Sequence, residues 1–142
     1  MNIDIPDNSL ADKIKEIVDL CNELAEEYGD NASSFSPAAP DDEIIRWENQ
    51  NKITIPESYK DWLRFSNGSQ IINGTANFFG IEMIGFCNEH LPEDYVSIGE
   101  LIGDGEVLCF SKSTRKFIRY NHGKSIEYQS FEDILNLILQ II

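Results

Sequence analysis

An α+β fold follows from the order in which three patterns appear along the 142 residues. Helical apolar spacing dominates the chain up to Phe65. Short segments rich in branched and aromatic residues, punctuated by glycine, then run to Tyr128, and one capped helix closes the chain. Helices on either side of a run of strands predict a mostly antiparallel sheet packed by helices. The length fits one domain, 1–142, large enough to fold on its own core without a disulfide or a metal.

The first helix is predicted over residues 9–28, because Leu10, Ile14, Ile17, Val18, Cys21, Leu24, Ala25 and Tyr28 fall on one face of a 3.6-residue period. Ser9 with Asp12 has the spacing of a capping box, and Gly29 suits the position after the last turn. Residues 30–39 have the composition of a linker. Pro40 sits where helices begin, and Asp41, Asp42 and Glu43 complement the N-terminal end of a short helix reaching Asn51. A third helix starts at Pro56, buries Tyr59, Trp62, Leu63 and Phe65, and ends at Asn67-Gly68.

Strands are expected over residues 75–84, broken at Gly80, then 96–99, 106–110, 116–120 and 125–128. Gly103-Asp104-Gly105 and His122-Gly123 read as turns, and residues 87–95 as a polar loop. The last helix opens on a second box, Ser130 and Asp133, and aligns Phe131, Ile134, Leu135, Ile138, Leu139 and Ile142. Leu137 and Ile141 fall off that stripe, so the helix is either wedged between elements or offers a contact surface.

Charge narrows the function. Twenty-five acidic residues against eleven Lys and Arg give a net −14, and residues 1–50 alone hold 13 acids and 3 bases. Such a chain is unsuited to nucleic acid, whose phosphates need cations, and to anionic lipid. It suits a basic protein partner. A 42% hydrophobic share supplies a core and excludes global disorder. The chain opens without a basic, then apolar, leader and contains no 18-residue apolar run, and its three cysteines form no Cys-x-x-Cys. Reduced thiols in a cytoplasmic protein are therefore expected.

Catalytic patterns are weak. His90 and His122 have no cysteine or second histidine at ligand spacing, so no metal or other cofactor is expected. A Cys109/His122 pair is conceivable, but Cys109 lies between Leu108 and Phe110 in a strand and reads as a buried thiol. Gly99, Gly103 and Gly105 precede a strand rather than a helix, unlike a phosphate loop. Asp104 with Glu106 could serve a carboxylate-dependent hydrolase, but such pairs arise by chance among so many acids, and no catalytic residue is assigned.

One stretch is more specific. Ile44-Ile45-Arg46-Trp47-Glu48, then Ile53-Thr54-Ile55-Pro56-Glu57-Ser58-Tyr59-Lys60-Asp61-Trp62-Leu63, then Ser66-Asn67-Gly68, resembles the SUKH superfamily in its Smi/Knr-type branch. Ile98-Gly99, Gly105 to Phe110, Phe117 to Tyr120 and Ser130 to Leu135 continue the resemblance, which covers residues 40–136. Ile55 stands where leucine is usual, and the acidic first helix and the 30–39 loop exceed the minimal pattern. The resemblance implies an α+β fold with a mixed sheet over a core of about residues 40–142 and a role in binding rather than catalysis. It implies an immunity protein that neutralises a cognate toxin, often a nuclease, or alternatively a regulatory scaffold of cell-wall synthesis and signalling.

The motif residues Pro56, Tyr59, Trp62, Leu63, Asn67 and Gly68 are expected to be structural. The resemblance carries over no contact residues. The candidates for docking a basic toxin are the acids Asp19, Glu23, Glu26 and Glu27 of the first helix, Asp41, Asp42 and Glu43 of the second, and after them Asp104 and Glu106.

Overall fold

The computed structural model describes residues 3–101 and 105–141. Four helices, α1 (Ala11–Tyr28), α2 (Asp41–Asn51), α3 (Glu57–Leu63) and α4 (Phe131–Ile141), accompany seven strands. The strands are β1 (Ser34–Phe35), β2 (Ser69–Ile71), β3 (Ala76–Phe78), β4 (Tyr95–Leu101), β5 (Glu106–Ser111), β6 (Phe117–Asn121) and β7 (Lys124–Tyr128). They lie in one sheet in the order β1-β2-β3-β4-β5-β6-β7, antiparallel at every pairing. The sheet is therefore a meander, and the parallel component of a mixed sheet does not occur among the described strands.

Alternation decides which side of the sheet the helices cover. One row of paired residues crosses the whole sheet, from Phe35 through Ser69, Phe78, Gly99, Leu108 and Arg119 to Ile126. Phe35 and Phe78 in this row meet the Trp62 ring at 6.5 and 5.3 Å, so the row faces the helices. Gly99 belongs to it because a Cβ there would collide with the Asn77 carbonyl and press the Phe78 ring. That close approach explains the Ile98-Gly99 pair of the motif.

The core is aromatic at its centre. Phe131, the first residue of α4, touches Tyr59, Trp62, Phe78 and Phe117 at ring distances of 4.9 to 5.6 Å. Trp62 also meets Phe65 at 5.2 Å and is fully buried. The Tyr59 hydroxyl donates to the Phe79 carbonyl at 2.6 Å, which ties α3 to the end of β3.

The motif residues of α3 and the turn after it make contacts within the fold. Pro56 caps α3, and Glu48 reaches over from α2 to accept the Ile55 N–H at 2.8 Å and the Lys60 ammonium at 3.0 Å. Leu63 is fully buried. Gly68 has φ +109°, where a side chain is strained. Asn67 accepts the Ile81 N–H at 2.7 Å, and its backbone carbonyl would lie 2.5 Å from a Cβ on Gly80.

Several expectations change. The Ser9–Asp12 box does not form, because the Ser9 hydroxyl donates instead to Asp61 of α3 and the helix starts at Ala11. Tyr28 leaves the buried stripe and is 49% exposed, since α1 runs past the core at its end. The 30–39 linker contains β1, and β2 was not anticipated. The strand expected over 75–84 is β3 alone, and residues 81–87 form tight turns, with Gly85 at φ +92°. At α4 the second box is half present, with Ser130 N–H donating to Asp133 at 3.3 Å. Ile142 and most of the Gly103–Gly105 turn lie outside the described residues.

Trp62→Ala is expected to remove about 3–5 kcal/mol of stability, as truncation of a fully enclosed aromatic ring does. Urea unfolding measures it, and a loss below about 1 kcal/mol would contradict this packing.

Candidate partner-binding site

The predicted acids fall into three different environments. On α1 the buried residues Ile14, Ile17, Val18 and Cys21 turn inward, which leaves Asp19, Glu23, Glu26 and Glu27 in solvent. Asp19 pairs with Lys15 one turn earlier at 2.7 Å, and this hydrogen bond raises the Lys15 pKa. Such an exposed pair adds little stability. Glu23, Glu26 and Glu27 are held by no ion pair among the described residues, so their charge projects into water.

At the start of α2 the acids are partly committed. Asp41 accepts from Arg64 Nε at 2.9 Å, and the same guanidinium reaches Glu57 at 3.2 Å and Asp61 at 2.9 Å. Bonding to Asp41 leads the causes that raise the Arg64 pKa. Asp42 lies 4.0 Å from Arg46. Glu43 is half-buried and lines a shallow cleft of 340 Å³ with Arg46, Trp47, Gln50, Ile81 and Glu82. This group and the α1 acids do not merge into one patch. Asp61 connects Arg64 to Ser9, at the N-terminal end of α1, whereas Glu23 to Glu27 stand roughly 20–27 Å further along that helix.

Glu106 is not a free acid. It and Arg119 form a two-pronged ion pair across β5 and β6, with Arg119 Nη2 on Glu106 Oε1 at 3.0 Å. Both side chains are mostly buried, and the guanidinium holds the Glu106 carboxyl below the usual range. Asp104 lies outside the described residues.

The features weighed for catalysis are dispersed. Cys109 is enclosed, its thiol bonds to the Ile118 carbonyl at 3.6 Å, and burial pushes its pKa up to about 12. A thiol so held stays protonated and is a poor nucleophile. His122 is exposed in the β6–β7 turn, and His90 is exposed in the loop before β4. Cys87 is half-buried beside Glu100, and burial, with that carboxylate, lifts its thiol to about 11. Among the described residues no three His, Cys, Asp or Glu side chains are grouped to hold a metal, and no described helix is long and apolar enough to cross a membrane.

One surface was not foreseen. The turns at 81–87 present the exposed Phe86 (68%) and Met83, and their Ile81 and Glu82 line the cleft that Trp47 also lines. Trp47 is partly buried and packs against the edge of the core. No spacing marks such a surface in advance, because it depends on turns that replace a predicted strand.

The family model described as "SMI1 / KNR4 family (SUKH-1)" matches residues 38–137, the span that holds α2, α3, β2 to β7 and most of α4. The chain belongs to this family. A comparison with curated proteins found no match. The SUKH-1 span contains Tyr59, Trp62, Phe65, Phe78, Phe117 and Phe131 of the aromatic core and leaves out Phe35 and α1, so the helix carrying Glu23, Glu26 and Glu27 lies outside the part that the family model describes.

The Glu106–Arg119 pair sets a pH dependence. Because the folded Glu106 pKa is depressed, its contribution is present above the unfolded carboxylate range and disappears as pH falls through the lower folded value. Glu106→Gln should therefore be less stable than wild type near neutrality, with the gap closing below about pH 4. Urea midpoints for both proteins across that range test it, and a gap independent of pH would contradict the assignment.

Proposed function

We propose that this SUKH-1 chain is a non-catalytic binding protein of the cytoplasm, an immunity protein that neutralises a cognate basic toxin by direct contact. A nuclease is the favoured class of toxin, because a surface built to grip phosphates is cationic and an acidic protein can occupy it. The supporting observation is the outer face of α1, where Glu23, Glu26 and Glu27 stand unpaired among the described residues on a chain of net −14. Asp19 extends that face, and Asp42 and Glu43 offer a second, smaller contact. Asp41 and Glu106 are poorer candidates, since docking through them would break the contacts to Arg64 and Arg119.

Opposite charge on two partners raises association from about 10⁵–10⁶ toward 10⁸–10⁹ M⁻¹s⁻¹ at low salt. A Debye length of about 8 Å at physiological ionic strength removes most of that steering as salt rises further. The test uses the toxin encoded beside this gene, first in co-expression for protection of the host and then in stopped-flow mixing. Protection and a salt-sensitive on-rate are expected. Exchanging Glu23, Glu26 and Glu27 for Lys should slow association and flatten its salt dependence while the circular dichroism spectrum is kept. Unchanged kinetics in that triple variant would remove α1 as the docking face. A neighbouring product that neither harms the host nor binds would favour a regulatory scaffold instead.

A further inference from the structure

Strand β7 ends the sheet, and no described strand lies beyond it. Its residues Lys124 to Glu127 are all exposed. The turn that feeds it sets which backbone groups are free. His122 and Gly123 both have positive φ, 49° and 82°, in a two-residue loop closed by the pair Asn121–Lys124. In such a hairpin the closing pair is hydrogen-bonded, and bonded and non-bonded pairs then alternate. Lys124, Ile126 and Tyr128 therefore spend their N–H and C=O groups on β6. Ser125 and Glu127 point theirs outward.

We propose that this edge binds a second copy of the chain, the two β7 strands pairing antiparallel about a two-fold axis at Ile126. Only pairings that oppose outward-pointing residues complete the ladder, which leaves three registers. One opposes Glu127 to its own copy, a like-charge contact. Another opposes Ser125 to itself and runs Glu127 against Gly123 in the turn. The third sets Ser125 against Glu127 twice, exchanging four backbone hydrogen bonds, and places the two Ile126 side chains opposite each other. No like charges face one another in it, since Lys124 then faces Tyr128.

Two observations support a second copy as the occupant. Ile126 is 51% exposed on the helix-facing row of the sheet, an apolar side chain that the monomer leaves in water. The charge is also suited to self-association on this side. Residues 96–142 carry 6 acids and 5 bases, whereas residues 1–50 carry 13 and 3, so two copies meet through the nearly neutral part of a strongly acidic chain. A closed isologous pair also removes the open edge, which an isolated β7 leaves as a template for uncontrolled pairing.

Sedimentation equilibrium of the full chain tests this. The apparent mass should rise with concentration from 16.2 kDa toward twice that value. Ile126→Lys, which opposes two ammonium groups at the axis, should weaken association by about tenfold or more. Ile126→Cys in a Cys87→Ser background should form an interchain disulfide on mild oxidation, because a non-hydrogen-bonded pair brings Cβ atoms close enough to bridge. A monomer at every concentration up to about 1 mM would overturn the proposal and leave the edge to an extended segment of another protein. A dimer that Ile126→Lys leaves intact, with no Ile126→Cys cross-link, would overturn it as well.

Discussion

Trp62 and Phe131 come from α3 and α4, far apart in sequence, yet their rings stand 5.5 Å apart and share Phe78 of β3 as a neighbour. Every other layer is positioned by that contact. Phe131 also meets Phe117 of β6, and Trp62 meets Phe35 of β1, so one aromatic cluster spans the sheet from its first strand to its sixth. Aromatic rings in edge-to-face contact gain from both burial and orientation, which makes this packing directional as well as apolar. The Phe131 N–H donates to Ser58 Oγ at 3.0 Å, so the start of α4 is seated on α3 by a polar contact too.

The surface chemistry divides along the same plan. Several charges are paired: Glu48 with Lys60, Glu106 with Arg119, and Asp41, Glu57 and Asp61 around Arg64. Glu23, Glu26 and Glu27, which no ion pair among the described residues holds, stand on the outer face of α1, a helix outside the span of the family model. A shared scaffold with a separately charged helix is a reasonable arrangement for recognition, because the charge can vary without disturbing the aromatic cluster.

Periodicity made the helices and the core legible. The apolar spacing of α1 and α4, and Pro56 with Tyr59, Trp62 and Leu63, identify buried faces that the structure keeps. Turn chemistry at His122-Gly123 marked the β6–β7 hairpin. The misses share a cause, which is a partner distant in sequence. Ser9 has the spacing of a cap, but Asp61 competes for its hydroxyl. Ser34 and Phe35 form a strand only because β2 lies alongside. Phe79 and Ile81 have strand-like composition, but Tyr59 takes the Phe79 carbonyl and Asn67 holds the Ile81 N–H where the turn begins. For the candidate site, composition showed where acids cluster in the chain but not which were free. Glu106 lost its freedom to Arg119 through a cross-strand register that no local pattern contains.

The strand order has a kinetic consequence. Because β1 to β7 are neighbours in the sheet in the order they leave the ribosome, most pairings join segments separated by one loop. Loop-closure entropy is smallest for such links, and β5, β6 and β7 can zip from their tight turns before any distant segment arrives. The costly closures are those of β1 onto β2, which encloses α2 and α3, and of α4 onto α1, which joins the two ends of the described chain. Strand pairs that zip from the tight turns can therefore form before the last helix docks, but they lack Phe131 at their centre until it does.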